Sequence, residues 1–400
     1  MPKRTRDMTM EQRLARGPLD LPFLMLVVML TTIGVIMVFS ASYATAINER
    51  KPPTFYFSHQ AVFAVLGLAA MYMVSRFNYQ WLRGLSVIVL GFAFFLLFIV
   101  LLPGVHTVRA DGVKRWIKGF GPFPAFQPSE VAKLGVILFF SARMAKRQGE
   151  KQRTLSKRSY FYDLFQKLKK WGFLELVPYG AILLAVMLFM RLEPHMSGTI
   201  LILAPAAAVL FAGGVKLRWF LLGLGGVGGI LSLSMTGYQS TRILVWQDPW
   251  KYPREGGYQI IQSLYAIGSG GLFGVGFGQS RQKQLFLPEP ENDFIFSIVC
   301  EELGLIGAGL ILLLFVLLIL RGYWIALHAR DRFGSLLVVG VITLLAIQVF
   351  LNVSVVTNLL PTTGISLPFF SYGGTALDIQ LVEMGIVLAV SRQVPAPRQG

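Results

Sequence analysis

The sequence predicts an all-α polytopic membrane protein, built as one integral membrane domain over residues 1–400. Three observations support this fold class. Hydrophobic residues make up 54% of the chain and charged residues only 14%, whereas about 25% of the residues in a typical soluble domain are charged. Apolar runs of about 20 residues, long enough to cross a bilayer as a helix, recur along the chain. The basic residues are concentrated in alternate connections between these runs.

Ten apolar runs are predicted to be transmembrane helices. The first, Leu21–Phe39, contains no charged residue. It exceeds the roughly 7–15 apolar residues of a cleaved signal peptide, so we interpret it as a retained span. Gly213-Gly214 barely separates the sixth span from the seventh, which leaves their ends poorly defined. The predicted spans lie near residues 21–42, 58–75, 82–102, 128–143, 173–191, 197–213, 219–236, 294–320, 334–356 and 375–391.

The net charge of +17 is explained mainly by membrane topology. Of the 37 Lys and Arg residues, 24 fall in segments that are cytoplasmic if the N-terminus is inside and the spans are even in number. Both termini are therefore predicted to be cytoplasmic, with the tail of residues 1–18 and the basic loop of residues 143–170. Residues 103–127 and the long loop of residues 237–293, between spans seven and eight, are predicted to be extracytoplasmic. This distribution argues against a nucleic-acid partner.

The loop of residues 237–293 is long enough to suggest a function. Apolar residues at helical spacing over Tyr258–Ile267 predict a short helix that lies on the outer face or re-enters it. The glycines of Gly268–Gly278 follow. Because they are not in a strand-loop-helix context, we interpret them as a flexible connector and not as a phosphate cradle.

Several classes of chemistry are excluded by motif. The chain lacks the G-x-x-x-x-G-K sequence of an ATP-binding P-loop. The single cysteine, Cys300, rules out an internal disulfide framework. The four histidines fall in separate segments without the spacing of a structural zinc site.

Ionisable residues near the ends of the spans are candidates for function, because burying charge in a membrane is costly. Glu130 and Lys133 open span four and would share a helix face; they form either a local ion pair or part of a site. Asp293 opens span eight, where it is either an N-terminal cap or a functional carboxylate. Basic residues in the outer loops run against the positive-inside trend: Lys114, Arg115, Lys118, Arg242, Arg281 and Lys283. Such cations beside a carboxylate suit an anionic lipid substrate carrying phosphate or diphosphate. On these grounds an enzyme, a transporter and a scaffold all remain open.

Four ordered motifs resemble those of the SEDS family (shape, elongation, division and sporulation). They are Leu287–Phe296 with Glu301–Gly304, Pro368–Gly374 with Asn352, Leu360-Pro361 and Gly364, Arg115-Trp116 with Gln127–Glu130, and Gly257–Gln259 with Gln262-Ser263. Ser280–Lys283, Trp246 and Asp248–Trp250 are more similar to the division and sporulation branch, FtsW and SpoVE, than to RodA. The chain departs from the family at His195, which stands where members often have an acidic residue.

The resemblance implies a peptidoglycan glycosyltransferase that polymerises lipid II at the outer face of the bacterial cytoplasmic membrane and releases undecaprenyl diphosphate. Asp293 matches the family's catalytic Asp, and the predicted substrate-binding residues are Arg115, Trp116, Gln127, Ser129, Glu130, Lys133, Arg242, Lys283, Glu289, Ser371, Gly373 and Gly374. The implied partners are a class B penicillin-binding protein and membrane proteins of the divisome or elongasome. No covalently bound cofactor is expected, and a divalent cation (Mg²⁺ or Mn²⁺) is an alternative to cationic side chains for neutralising the diphosphate. A lipid II flippase and a non-catalytic scaffold for the penicillin-binding protein are the alternative functions.

Overall fold

A computed structural model describes residues 17–102, 106–107, 116–119, 125–150, 173–193, 196–220, 222–223 and 237–393. In these segments the fold is helical, apart from one π-helical turn, Pro253–Gly257, and two short antiparallel strands, β1 (His106–Thr107) and β2 (Trp116–Ile117). The helices are α1 (Leu21–Asn48), α2 (Phe55–Arg76), α3 (Gln80–Val100), α4 (Pro128–Glu150), α5 (Phe173–Leu192), α6 (Met196–Ala212), α7 (Gly237–Gln247), α8 (Tyr258–Gly270), α9 (Ile295–His328), α10 (Arg332–Val356) and α11 (Gly374–Ser391).

Six of the described helices are long and apolar enough to cross a membrane: α1, α2, α3, α9, α10 and α11. Helices α4, α5 and α6 coincide with the predicted spans four, five and six, although the apolar parts of α5 and α6 are shorter. Most of predicted span seven lies outside the described residues, as do residues 151–172 of the basic loop. The protein is therefore a helical membrane protein, whereas the count of ten spans and the cytoplasmic position of the termini stay predictions.

Helix α10 lies at the centre of the bundle. It packs against α4, α6, α9 and α11, and most of its length is buried among apolar side chains. Around it, α2 packs closely on α11, and the backbone of Gly385 lies against that of Met71. Burial on nearly all faces explains why the sequence of α10 is apolar all round and lacks a polar stripe.

Polar contacts join α1 and α9 at two levels. At one level Asp20 caps α1 by accepting a hydrogen bond from the Phe23 amide (3.0 Å) and pairs with Arg321 of α9, whose Nη2 lies 2.8 Å from the carboxylate. At the other level the Ser40 hydroxyl of α1 donates to the Glu302 carboxylate (2.7 Å), which also pairs with Lys283. The two helices are therefore antiparallel and held in a defined register.

Helix α9 is interrupted at Gly304, which has a φ of +68°. The preceding loop completes the hydrogen bonding there. The amides of Val275 and Gly276 donate to the carbonyls of Glu301 and Glu302, at 2.9 and 3.1 Å. The glycines are thus packed against α9, and their interpretation as a flexible connector is wrong, since a Cβ at Gly274 would lie 2.1 Å from the Glu302 carbonyl oxygen. The short helix predicted just before them is confirmed as α8.

Candidate active site

Asp293 is half-buried in the turn that leads into α9. The helix begins at Ile295 and its N-cap residue is Phe294, without a side-chain cap. The alternative that Asp293 serves as the helix cap is therefore wrong. Its carboxylate lies over Gly364, where an added Cβ would be 3.3 Å from Oδ2. Because the φ of Gly364 is +70°, glycine suits this position both sterically and in its backbone conformation.

The backbone around Asp293 is fixed by Asn352 of α10. Its Nδ2 donates to the Asp293 carbonyl (2.8 Å) and to the Ile365 carbonyl (2.7 Å). Asn352 is 1% exposed, so both bonds are shielded from water. One amide therefore holds the Asp293 turn and the loop of residues 357–373 at a defined separation.

The Pro368–Gly374 motif supports the same turn. The Ser371 hydroxyl donates to the Asn292 carbonyl (2.8 Å) and accepts from the Leu367 amide (2.7 Å). Gln60 of α2 bridges the Ser371 carbonyl and the Gly373 amide, both at 3.2 Å. These contacts show how the motif positions Asp293 through its backbone; binding of substrate by Ser371 and Gly373 stays a prediction.

Arg242 reaches the same loop from α7. Its Nη1 donates to the Thr362 carbonyl (2.8 Å), two residues before Gly364. The Ser197 hydroxyl of α6 donates to the Thr363 carbonyl (2.5 Å). The structure therefore brings a cationic side chain towards the loop that lies beneath the Asp293 carboxylate, although 51 positions of sequence separate the two residues.

The Glu130–Lys133 ion pair, one of the two alternatives for the start of span four, is present in the structure. Lys133 Nζ lies 2.6 Å from Glu130 Oε2, and the two side chains are 3% and 19% exposed. Glu383 of α11 is buried and lies near enough to interact electrostatically with both. The Ser129 hydroxyl is buried and makes no hydrogen bond within the described part of the chain.

Lys283 is the predicted site residue whose environment differs most from expectation. Its side chain is 3% exposed, and its ammonium group lies 2.7 Å from Glu302 Oε1 and donates to the Ser40 hydroxyl at 2.9 Å. The structure therefore places its charge inside the protein and not on a surface open to a diphosphate. We therefore assign Lys283 a structural role, in which it anchors the loop before Asp293 to α1 and α9.

The remaining predicted residues lie around this core or outside the described segments. Trp116 is in β2, and the bridge between Ile117 and Phe126 brings that strand next to Gln127 and the start of α4. Glu289 is exposed and accepts from Asn292 Nδ2 at 2.9 Å. Gly374 begins α11, packed so closely on the Phe63 ring that a Cβ would lie 2.2 Å from it. Arg115 and His195 lie outside the described residues.

Glu291 is a site residue that the sequence interpretation missed. It is 4% exposed and accepts from the Thr45 hydroxyl of α1 (3.2 Å), while its carbonyl accepts from the Tyr372 amide (2.8 Å). Burial raises the pKa of its carboxyl above the ordinary value, and the hydrogen bond from Thr45 opposes this shift only in part. In the sequence Glu291 is one of several acidic loop residues, so no local signal distinguishes it.

The raised pKa of Glu291 predicts a pH-dependent effect of Glu291→Gln. A buried carboxyl with a raised pKa stabilises the fold while protonated, and this contribution is lost as the pH rises through the raised value. The free energy of unfolding of Glu291→Gln should therefore increase relative to wild type between pH 4 and pH 7. Chemical unfolding across this range, with the exposed Glu289→Gln as control, would measure it. A difference that does not change with pH would contradict the prediction.

The described segments do not form a protein site for a divalent cation. They contain no group of three or more His, Cys, Asp or Glu side chains placed to hold a metal ion. A divalent cation stays an alternative to cationic side chains for neutralising the diphosphate.

Comparison with known proteins shows the family of the chain. Residues 21–395 match the family described as cell cycle protein, which groups FtsW, RodA and SpoVE. The chain belongs to this family. It is 42% identical to stage V sporulation protein E of Bacillus subtilis over 93% of this chain and 97% of that protein. It is 40% identical to the probable peptidoglycan glycosyltransferase FtsW of Geobacter metallireducens over 94% and 95%. The SEDS assignment and its FtsW/SpoVE-like branch are thus confirmed.

Solved structures confirm the fold of this SEDS protein. A chain from a peptidoglycan synthase complex that coordinates polymerization and crosslinking superposes with a TM-score of 0.71 at 28% identity, over 96% of this chain and 99% of that one. The rod shape determining protein RodA of Thermus thermophilus superposes with a TM-score of 0.64 at 26% identity, over 95% and 98%. The described helices therefore have the arrangement found in SEDS proteins.

Proposed function

We propose that Asp293 is the general base of a glycosyl transfer that polymerises lipid II. The chain is a peptidoglycan glycosyltransferase by its relatives. The catalytic assignment rests on the contacts that hold the turn around Asp293. Asn352 holds its backbone, Ser371 holds the preceding carbonyl, and Gly364 leaves room for its carboxylate. Fixing a single carboxylate in this way is what proton transfer from a positioned hydroxyl requires.

The reaction joins two lipid-linked disaccharides. The 4-hydroxyl oxygen of one sugar forms a bond to the anomeric carbon of the other, and the bond from that carbon to the diphosphate oxygen breaks. Asp293 accepts the hydroxyl proton and later releases it to water, while undecaprenyl diphosphate leaves as the anion. A hydroxyl is a poor nucleophile at neutral pH, so the carboxylate is needed at the moment of attack.

Arg242 is the described cation best placed to neutralise the leaving diphosphate. It is half-buried and held on the loop of residues 357–373, which also lies beneath Asp293. Lys133 is buried beside Glu130 and is a weaker candidate, because much of its charge is already compensated. Arg115 is also proposed to bind the diphosphate, because of the motif in which it lies. Charge stabilisation of the leaving group by fixed cations removes the need for a separate acid.

The setting of the reaction is proposed from the family. The chain would work in the bacterial cytoplasmic membrane with its site on the outer side, beside a class B penicillin-binding protein that crosslinks the product. The superposed chain from a peptidoglycan synthase complex supports such a partnership.

Polymerisation of purified lipid II by the reconstituted protein tests this function. We expect glycan strands and free undecaprenyl diphosphate, in the presence or absence of a class B penicillin-binding protein. Transport of lipid II across the vesicle membrane without polymer would favour a flippase. The absence of both polymer and transport, with or without the partner, would favour a scaffold, and either result would contradict the proposal.

A further inference from the structure

The two levels of contact between α1 and α9 are spaced like the two faces of a bilayer. Asp20 and Ser40 on α1, and Arg321 and Glu302 on α9, are each separated by about 20 residues. At 1.5 Å per residue this is ~30 Å of helix, and the hydrocarbon core of a bilayer is also about 30 Å thick. The match in length places the boundary of that core on the Asp293 side near the Ser40–Glu302 level, where the Lys283–Glu302 pair is shielded by protein.

The segment of residues 271–277, here called the hairpin, extends past this boundary. The Leu305 and Ile306 amides of α9 donate to the carbonyls of Gly271 and Leu272, at 2.9 and 3.1 Å. Ile306 lies four residues beyond Glu302, so the tip of the hairpin is roughly 6 Å further along the helix. The tip of the hairpin therefore lies just inside the hydrocarbon core, at the depth of the outermost part of the acyl chains.

The side chains of the hairpin suit an apolar environment. Leu272 is 58% exposed and Phe273 is 81% exposed, and Val275 and Phe277 also point away from the protein. There is no charged residue from Gly271 to Ser280. The neighbouring surface of α9, which includes Leu305 at 66% exposure, is apolar as well. The exposed apolar surface of the hairpin is thus continuous with that of a membrane-spanning helix.

The side of the hairpin backbone that faces the protein is hydrogen-bonded to α9. Non-helical backbone at membrane depth is tolerated where it is buried in protein, so only the exposed side chains of the tip need to reach the acyl chains. The break at Gly304 makes this pairing available, since the α9 carbonyls accept from Val275 and Gly276 while the α9 amides donate to Gly271 and Leu272. The glycines permit the close approach, because a Cβ at Gly270 would lie 2.0 Å from the Cys300 carbonyl oxygen.

We propose that residues 271–277 are a re-entrant hairpin whose tip, Leu272 and Phe273, inserts among the acyl chains of the leaflet on the Asp293 side. The hairpin joins α8 to the loop that ends at Asp293, and residues 280–283 of that loop bond to Glu301 and Glu302. Insertion would hold the Asp293 turn at a constant height above the membrane.

Depth-dependent fluorescence quenching tests the insertion. Single cysteines replace Phe273 or, independently, Leu272 in full-length protein carrying Cys300→Ala, are labelled with an environment-sensitive fluorophore and reconstituted in phosphatidylethanolamine–phosphatidylglycerol vesicles. Quenchers are aqueous iodide and lipids with a nitroxide either near the headgroup or near the chain end. Matched controls are Leu310→Cys, exposed at the middle of α9, and Thr54→Cys, exposed in the α1–α2 connection.

We expect both hairpin labels to be quenched several-fold more by the nitroxide near the headgroup than by iodide. Leu310→Cys should respond most to the nitroxide near the chain end, and Thr54→Cys should respond to iodide. Iodide quenching of the hairpin labels as strong as that of Thr54→Cys would place the hairpin in water and overturn the proposal. Protection from every quencher would show that protein covers the hairpin and would overturn it equally.

Discussion

Replacing Asp293 by Asn is expected to lower the rate of lipid II polymerisation by roughly 10²–10⁴-fold, the usual contribution of a general base. The amide has nearly the size of the carboxylate but does not accept a proton at neutral pH. The Asp293 and Asn292 carbonyls, whose contacts help to hold the turn, are unchanged in the variant, so a nearly isosteric Asn should keep the fold. Polymerisation assays on purified wild-type and variant protein, with melting temperatures measured in parallel, would show activity lost without loss of stability.

The matched control for this variant is Asp248→Asn. Asp248 lies in the same long loop and is exposed, and its carboxylate accepts from the Lys251 amide at 3.2 Å. The same chemical change there should leave both activity and stability near wild type. Polymerisation by Asp293→Asn within a few-fold of wild type would remove Asp293 as the base and reopen the flippase and scaffold functions.

Replacing Lys283 by Met is expected to destabilise the protein by about 3–5 kcal/mol, the usual cost of leaving one member of a buried ion pair without its partner. Glu302 is 1% exposed and would keep the Ser40 hydroxyl as a donor after losing the ammonium group. Glu302→Gln should also destabilise the protein, because it leaves the buried Lys283 ammonium group without its carboxylate partner. The double variant should cost less than the sum of the two, because no uncompensated charge then remains.

Unfolding in mixed detergent, followed by tryptophan fluorescence, would measure these free energies. Lys251→Met is the control, since Lys251 is exposed and should contribute little. Additive effects in the double variant would contradict a direct ion pair. Full stability of Lys283→Met together with weaker diphosphate binding would instead support the role in substrate binding predicted from its motif.

Much of the architecture follows from local sequence. The span predicted near residues 58–75 is helix Phe55–Arg76, and that predicted near 375–391 is helix Gly374–Ser391. The length of an apolar run and the residues at its ends are properties of neighbouring positions, so they can be read along the chain. Asp293 is recognisable in the same way, by its motif at the start of a span.

The environment of each charge depended on the tertiary structure. In the sequence Lys283 is a loop cation that suits a diphosphate, yet its partners are Glu302 of α9 and Ser40 of α1, which is 243 positions away. Glu291 resembles its exposed neighbour Glu289 but is buried against Thr45. From sequence, the glycines after α8 indicate flexibility. In the structure, the break at Gly304 supplies hydrogen-bond partners for their backbone. Local sequence specifies which groups need a partner, because burying a charge or an amide alone is costly. Which partner each group finds is decided by the packing of helices that are distant in sequence.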